Sequence, residues 1–228
     1  MQIEILSDAN AVAIAAAQLI AAEARAVVAE RGIFSFAVSG GKTPWVMLKE
    51  LASEELPWKQ IHVFQIDERI APEGDKDRNL TQLLASLAAA PIPPENIHAM
   101  PVNSADPEQA CRAYEAALEQ SCGTPATLDL VHLGLGPDGH TASLVPGDAV
   151  LTVRDRDVAL TGLYQGRNRM TLTYPMINRS RKILWLATGA EKAPMIVRLK
   201  HGDPTIPGGL ISQGNAILLA DQPAAAEL

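Results

Sequence analysis

The strongest constraint on this chain is the regular alternation of short apolar runs with longer stretches of helical pattern. "IEIL" precedes an Ala-rich stretch over residues 9–30, and "IFSFAVS" precedes a helical pattern starting near "TPWVMLKELAS". "IHVFQID" leads through a polar loop to "NLTQLLASLA", and "LDLVHLGLG" follows "DPEQACRAYEAALEQ". "KILWLAT" precedes "EKAPMIVRLK", and "NAILLA" stands close to the C-terminus. Strands that are apolar on both faces need cover on both faces, which a parallel sheet with crossover helices provides. The expected fold is an open α/β domain spanning 1–228, with a mostly parallel sheet and helices on both faces. "APIPPENIHAMPVNSADPE" reads as a surface connection. "LTVRDRDVALTGLYQGRNRMTLTYPMINRS" has room for one or two antiparallel strands around 157–163 and 169–174, which would make the sheet mixed.

Composition narrows the function classes. At 228 residues and 47% hydrophobic, the chain can bury a substantial core. No uninterrupted run of eighteen apolar residues occurs. The N-terminal Ala-rich stretch carries Asp8, Glu23, Arg25 and Glu30 and lacks a basic start and cleavage site, so it reads as a packed helix. Cys111 and Cys122 are far apart and have no metal-ligand spacing, so reduced thiols and a cytoplasmic setting are expected. With 19 basic against 26 acidic residues, the net charge of −7 argues against a nucleic-acid binder. A small anionic ligand would need a local cluster of Arg and Lys.

In open α/β sheets ligands bind beyond the carboxyl ends of the strands, so the residues that follow each strand matter most. After "FSFAV" come Ser39, Gly40, Gly41, Lys42, Thr43 and Pro44. The glycines permit close backbone approach, Thr43 is placed to cap the next helix, and a helix N-terminus there favours an anion. A plain tight turn reads equally well, and the spacing of a Walker loop is absent. After "IHVFQI" come Asp67, Glu68 and Arg69, three charges that are costly unless paired or used, with Arg69 able to clamp a phosphate. A solvated strand end is the plainer reading.

After "DLVHLGLG" come Pro137, Asp138, Gly139 and His140, then Thr141, Ala142 and Ser143. His140 is expected at the start of a helix, reaching into the cleft, with Asp138 fixing its tautomer if the turn brings the two together. A helix-capping histidine is the alternative. His132 reads as a satisfied core histidine, and His62, His98 and His201 have no catalytic surroundings. After "KILWLAT", Gly189 precedes Glu191 and Lys192, and Lys192 either meets an anion or is solvated. Arg167 and Arg169 precede a further strand-like run. No metal-ligand spacing and no GxSxG elbow is present.

"SGGKTP", "DER" and "GLGPDGHTASLVPG", in this order, resemble the 6-phosphogluconolactonases, and "RMTLTYPMIN", "TGAEKA" and "NAILLADQPAA" extend the likeness over nearly the whole chain. The resemblance implies a Rossmann-like fold shared with glucosamine-6-phosphate deaminase and ribose-5-phosphate isomerase. It implies hydrolysis of 6-phosphoglucono-δ-lactone to 6-phosphogluconate in the oxidative pentose phosphate pathway. His140 would then be the general base and Asp138 its support. Arg69, Arg169 and Lys192 would hold the phosphate or nearby oxygens, with Gly40, Gly41, Thr43 and Asp67 in the same pocket. Neither metal nor cofactor is implied, and neither nucleic acid nor membrane is an expected partner. One departure is Arg78 before Asn79, where the family usually has Ser before Asn; Arg78 then lies at the pocket rim or in solvent. Two other readings stand beside this one. An amino-sugar-phosphate isomerase or deaminase would carry Asp-Glu-Tyr at residues 67–69 and could use Asp67 as its base. A non-catalytic sugar-phosphate sensor would usually carry a DNA-binding segment as well.

Overall fold

A computed structural model describes all of residues 1–228. In chain order the elements are β1 (Gln2–Leu6), α1 (Ala9–Arg31), β2 (Phe34–Val38), α2 (Lys42–Ala52), β3 (Ile61–Gln65), β4 (Asp67–Arg69), α3 (Asn79–Ser86) and β5 (Ile97–His98). They continue with α4 (Pro107–Cys122), β6 (Leu130–Gly134), β7 (Val158–Leu160), β8 (Arg169–Leu172), α5 (Tyr174–Asn178), β9 (Ile183–Ala187), α6 (Ala193–Lys200) and β10 (Ala216–Asp221). Seven strands form one sheet in the order β1-β10-β9-β6-β2-β3-β5, and every pair in it is parallel.

Period-two alternation along the strands divides the side chains between two cores. Phe34, Phe36 and Val38 of β2 pack with α1, α2 and α3, whereas Ala37 of the same strand packs on the other side with α4, α5 and α6. α1 runs one residue beyond the expected stretch and buries Val12, Ala13, Ala16, Ala17, Ile20, Ala21, Ala24 and Val27. Asp8 caps its start by accepting from the amides of Asn10 and Ala11, both at 2.9 Å, and Gly32 ends it in the left-handed conformation. By length and a mean hydropathy of 1.7, α1 would pass for a membrane span; here that apolar character supplies one core.

Two expectations need correction. The antiparallel strands do form, but as a separate three-stranded sheet, β4-β8-β7, so the main sheet is not mixed. The second strand stops at Leu172, because Thr173 opens α5 with Pro175 in its first turn. The proline-rich connection is also more than a surface loop. It contributes β5 at the sheet edge, where His98 Nε2 meets His62 Nδ1 of β3 at 2.9 Å.

Three histidines carry a stability consequence. Burial pushes His132 down to about 3 and His98 down to about 4, with the charge of His62 adding to the effect on His98. Burial lowers His62 as well. In the unfolded chain each titrates near ~6.5, so the unfolded state binds more protons as pH falls below that value. Stability contributed by the neutral rings is therefore full above ~6.5 and declines toward pH 4. Urea midpoints between pH 7 and pH 4.5 should fall for the wild type and fall less for His98→Gln; parallel slopes would show that His98 stays unlinked to folding.

Candidate active site

The strand order changes direction beside β2, whose neighbours are β6 and β3, and a cleft opens there beyond the carboxyl ends of β9, β6, β2 and β3. The cleft is about 400 Å³, and its lining has only three hydrophobic residues. Gly40, Gly41, Thr43, Asp67, Arg69, His140, Arg169 and Lys192 all line it. Asp138 is not on the wall but stands directly behind His140. Lys42, Arg69, Arg169 and Lys192 face it against Asp67 and Glu191, a local cationic excess in a chain of net charge −7.

Behind β2, α2 begins at Lys42, one residue earlier than expected. Gly41 is therefore its N-cap and offers no side chain to the first-turn amides. Thr43 is inside the helix, and its hydroxyl meets that of Thr188 at 2.8 Å, joining the loops after β2 and β9. The uncapped first turn of an eleven-residue helix thus opens onto the cleft beside Lys42. Gly40 is required by packing: a Cβ there would stand 2.1 Å from Oδ1 of the buried Asn79 side chain.

The charged triplet after β3 is paired, not solvated. Glu68 is fully buried and accepts from Gln65 Nε2, the Arg69 amide, the Asn79 amide and the Leu80 amide, each at 2.8 Å. It caps α3 from a distance in sequence. Arg78 is not solvated: it is 4% exposed, donates to Glu68 at 3.4 Å, and lines a cavity that adjoins the cleft at Arg69, Asn79 and Arg169. Asn79 Nδ2 donates to the Asp67 carbonyl at 2.9 Å, and its Oδ1 accepts from Arg69 Nη1. Asp67 accepts from the Ser143 hydroxyl at 2.7 Å and stands 3.9 Å from Arg169 Nη1. Burial lowers the pKa of Arg169, an effect that Asp67 opposes and Arg69 reinforces. Arg167 pairs with Asp75 at 2.9 Å and Asp77 at 3.3 Å and lines the adjoining cavity with Arg69, Arg78 and Arg169.

After β6 the chain makes a closed turn. The Gly136 amide bonds to the His140 carbonyl at 2.8 Å, and the Gly139 amide to the Gly136 carbonyl at 3.0 Å. This turn brings Asp138 Oδ1 to 2.5 Å from His140 Nδ1. Burial raises Asp138, but the hydrogen bonds and charge of His140 outweigh it and leave the carboxyl below its usual value. The proton on Nδ1 is thereby assigned, and Nε2 has no partner within the chain. No helix follows His140, contrary to expectation. Ala142 adopts φ 51, and Thr141 and Leu144 pair across the bend. His132, fully buried below this turn, is only half satisfied: Nδ1 accepts from the Ser39 amide at 3.3 Å, while Nε2 has no protein partner.

Tyr164 is the site residue that sequence reading did not single out; Glu68, Asn79 and Ser143 were placed in their motifs without the partners that the fold gives them. The first lies in the irregular segment that resisted periodic reading. The others act by reaching across the fold, which no local pattern records.

Residues 7–219 match the family described as Glucosamine-6-phosphate isomerases/6-phosphogluconolactonase. A 6-phosphogluconolactonase of Synechocystis sp. is 42% identical over 210 residues, covering 88% of this chain and 87% of its own. The crystal structure of a 6-phosphogluconolactonase from Thermotoga maritima superposes with a TM-score of 0.85 at 27% identity, over 96% of this chain and 98% of that one. A monomeric glucosamine-6-phosphate deaminase superposes with a TM-score of 0.86 over the full length of both chains at 19% identity, a likeness of fold alone.

The turn after β6 gives a direct test of the dyad. A Cβ on residue 136 would stand 2.1 Å from His140 Nδ1 and 2.7 Å from Asp138 Oδ1. Gly136→Ala should keep the far-ultraviolet circular dichroism of the wild type but lose its low-field Nδ1 proton resonance. A resonance that survives in place would mean that the ring shifts together with Asp138.

Proposed function

Because the chain belongs to the family of glucosamine-6-phosphate isomerases and 6-phosphogluconolactonases, we propose that it hydrolyses 6-phosphoglucono-δ-lactone to 6-phosphogluconate with His140 as general base. The observation that carries this reading is His140 on the wall of a cation-rich cleft with Asp138 bonded behind it. Likeness to the Synechocystis lactonase over most of both chains supports it.

His140 Nε2 takes a proton from water as the water oxygen attacks the lactone carbonyl carbon. Asp138, although itself exposed, holds Nδ1–H and stabilises the imidazolium that forms. The carbonyl oxygen gathers negative charge, which amides of the glycine loops or an arginine of the cleft stabilise. The carbonyl–ring oxygen bond then breaks, and the departing oxygen takes the proton held by the imidazolium. Water and lactone are consumed, the hydroxy acid is released, and the base is restored. The chemistry needs no metal and no cofactor.

The phosphate lies remote from the reacting carbon, so its binding energy orients the lactone. Gly40, Gly41 and Thr43 at the head of α2, with Arg69, Arg169 and Lys192, form its cradle. Asp67 serves this cradle indirectly, by holding Asn79 and Arg169 in place. That commitment also weighs against the deaminase reading, which needs a carboxylate free to abstract a proton from carbon. The enzyme acts as one domain in the cytoplasm on a free sugar phosphate, without nucleic acid or membrane. The net charge of −7 and two unpaired cysteines support that placement.

Hydrolysis of freshly generated lactone, measured above its spontaneous opening, tests the reading. His140→Ala should lower kcat by ~10²–10⁴ with little change in KM. Lys192→Ala should raise KM roughly tenfold, as expected for one lost charge-assisted hydrogen bond. Near-normal turnover by His140→Ala would remove the general base, and ammonia release from glucosamine 6-phosphate in place of lactone turnover would replace the reading.

A further inference from the structure

We propose that Tyr164 is a positioning residue of this site, with its hydroxyl tuning the Asp138–His140 pair and its ring seating Arg169. The inference rests on the lactonase reading above. Tyr164 lies at the tip of the β7–β8 hairpin, and its side chain stands between the groups assigned to proton transfer and those assigned to the phosphate. Its hydroxyl is 3.4 Å from Asp138 Oδ2 and 3.5 Å from His140 Nδ1, and its ring meets that of His140 edge-on at 5.5 Å between centroids. The Arg169 guanidinium lies over the same ring, 4.9 Å from its centroid.

The hairpin tip is built to hold this arrangement. Tyr164 and Arg167 exchange backbone hydrogen bonds of 3.0 and 3.2 Å around Gln165 and Gly166. Both central residues have positive φ, 51° and 79°, as tight two-residue hairpins require. Gln165 accepts from Arg169 Nη2 at 3.2 Å, and Arg167 anchors the tip to Asp75 and Asp77. A non-glycine residue at φ 51 is a strained choice, and it recurs here beside functional groups. Burial, with the Asp138 charge, raises the Tyr164 pKa, so the hydroxyl keeps its proton and is the donor.

A donor on Oδ2 spreads the carboxylate charge of Asp138 and weakens its hold on an imidazolium. Removing it strengthens that hold, so the histidine loses its proton at higher pH. Bonds of this length at a catalytic site tighten once substrate is bound. The ring acts separately: a cation held over an aromatic face is oriented without being neutralised, and stays available to an anion. The other charged groups facing His140 across the cleft are Asp67 and Arg69 from β4, Lys42 from α2, and Glu191 and Lys192 before α6; buried His132 lies on β6. All remain in both variants below.

The test is the pH profile of kcat/KM for lactone hydrolysis by the wild type, Tyr164→Phe and Tyr164→Ala. Tyr164→Phe should keep the wild-type KM within about twofold and move the acid limb upward by roughly half a pH unit. Tyr164→Ala should show the same displacement and raise KM about three- to tenfold. An unmoved limb in Tyr164→Phe overturns the role of the hydroxyl. A KM raised equally in Phe and Ala, or in neither, overturns the role of the ring. Absence of lactone hydrolysis by the wild type would instead overturn the reading on which the proposal rests.

Discussion

One buried carboxylate holds the site together. Glu68 has no exposure to solvent, and a charge in that position is tolerable only with its oxygens filled. The amides of Arg69, Asn79 and Leu80, the Gln65 side chain and the Arg78 guanidinium fill them. This sets the corner between β4 and the start of α3. From that corner Asn79 packs on Gly40, holds Arg69 and bonds to Asp67, and Asp67 reaches Ser143 and Arg169. Three loops of the cleft therefore depend on one group that does not itself line it. Truncating it would leave orphaned amides and an unpaired Arg78, a loss of several kcal/mol by the usual cost of breaking a buried pair, ~3–5 kcal/mol.

The site divides its labour by position in the sheet. Parallel strands place every carboxyl end on one side, and the reversal of strand order beside β2 leaves room between the loops that follow β2 and β6. The loop after β2 offers backbone amides, the loop after β6 offers a histidine with an assigned tautomer, and the segments after β3 and β9 offer cations. The small antiparallel sheet adds Arg169 and Tyr164 from the side. An acidic protein thus presents a cationic cleft, and the surrounding negative charge favours entry of an anion only along the path where those cations dominate.

Much of this was legible in the chain. The apolar runs for β2, β3, β6, β9 and β10 and the helical stretch of α1 follow from periodicity that local sequence controls. Asp138 and His140 are two residues apart, so a glycine turn suffices to join them. The sheet assignment of 157–174 was not legible, because whether a strand pairs with β4 or with the main sheet depends on what else competes for its edge. The pairing of Arg78 was not legible for a similar reason: its partner is ten residues away, and only the turn between β4 and α3 brings them together. The helix expected after His140 fails because the turn closes on itself first.

The sequence by itself determined the order of strands and helices, the α/β class, and the chemistry available at each strand end. Those properties depend on neighbours along the chain and on the two periods of regular backbone. Only the tertiary structure decided which charges face the cleft and which support it. Asp67, Glu68, Arg69 and Arg78 look alike in a sequence, yet one lines the cleft as a bonded acceptor, one is a buried cap, one is a cleft cation held by an amide oxygen and one is a buried partner. The physical reason is that burial and pairing belong to positions in space. A charged side chain's role is set by which oppositely charged or hydrogen-bonding groups the fold delivers to it, and those groups come from distant segments.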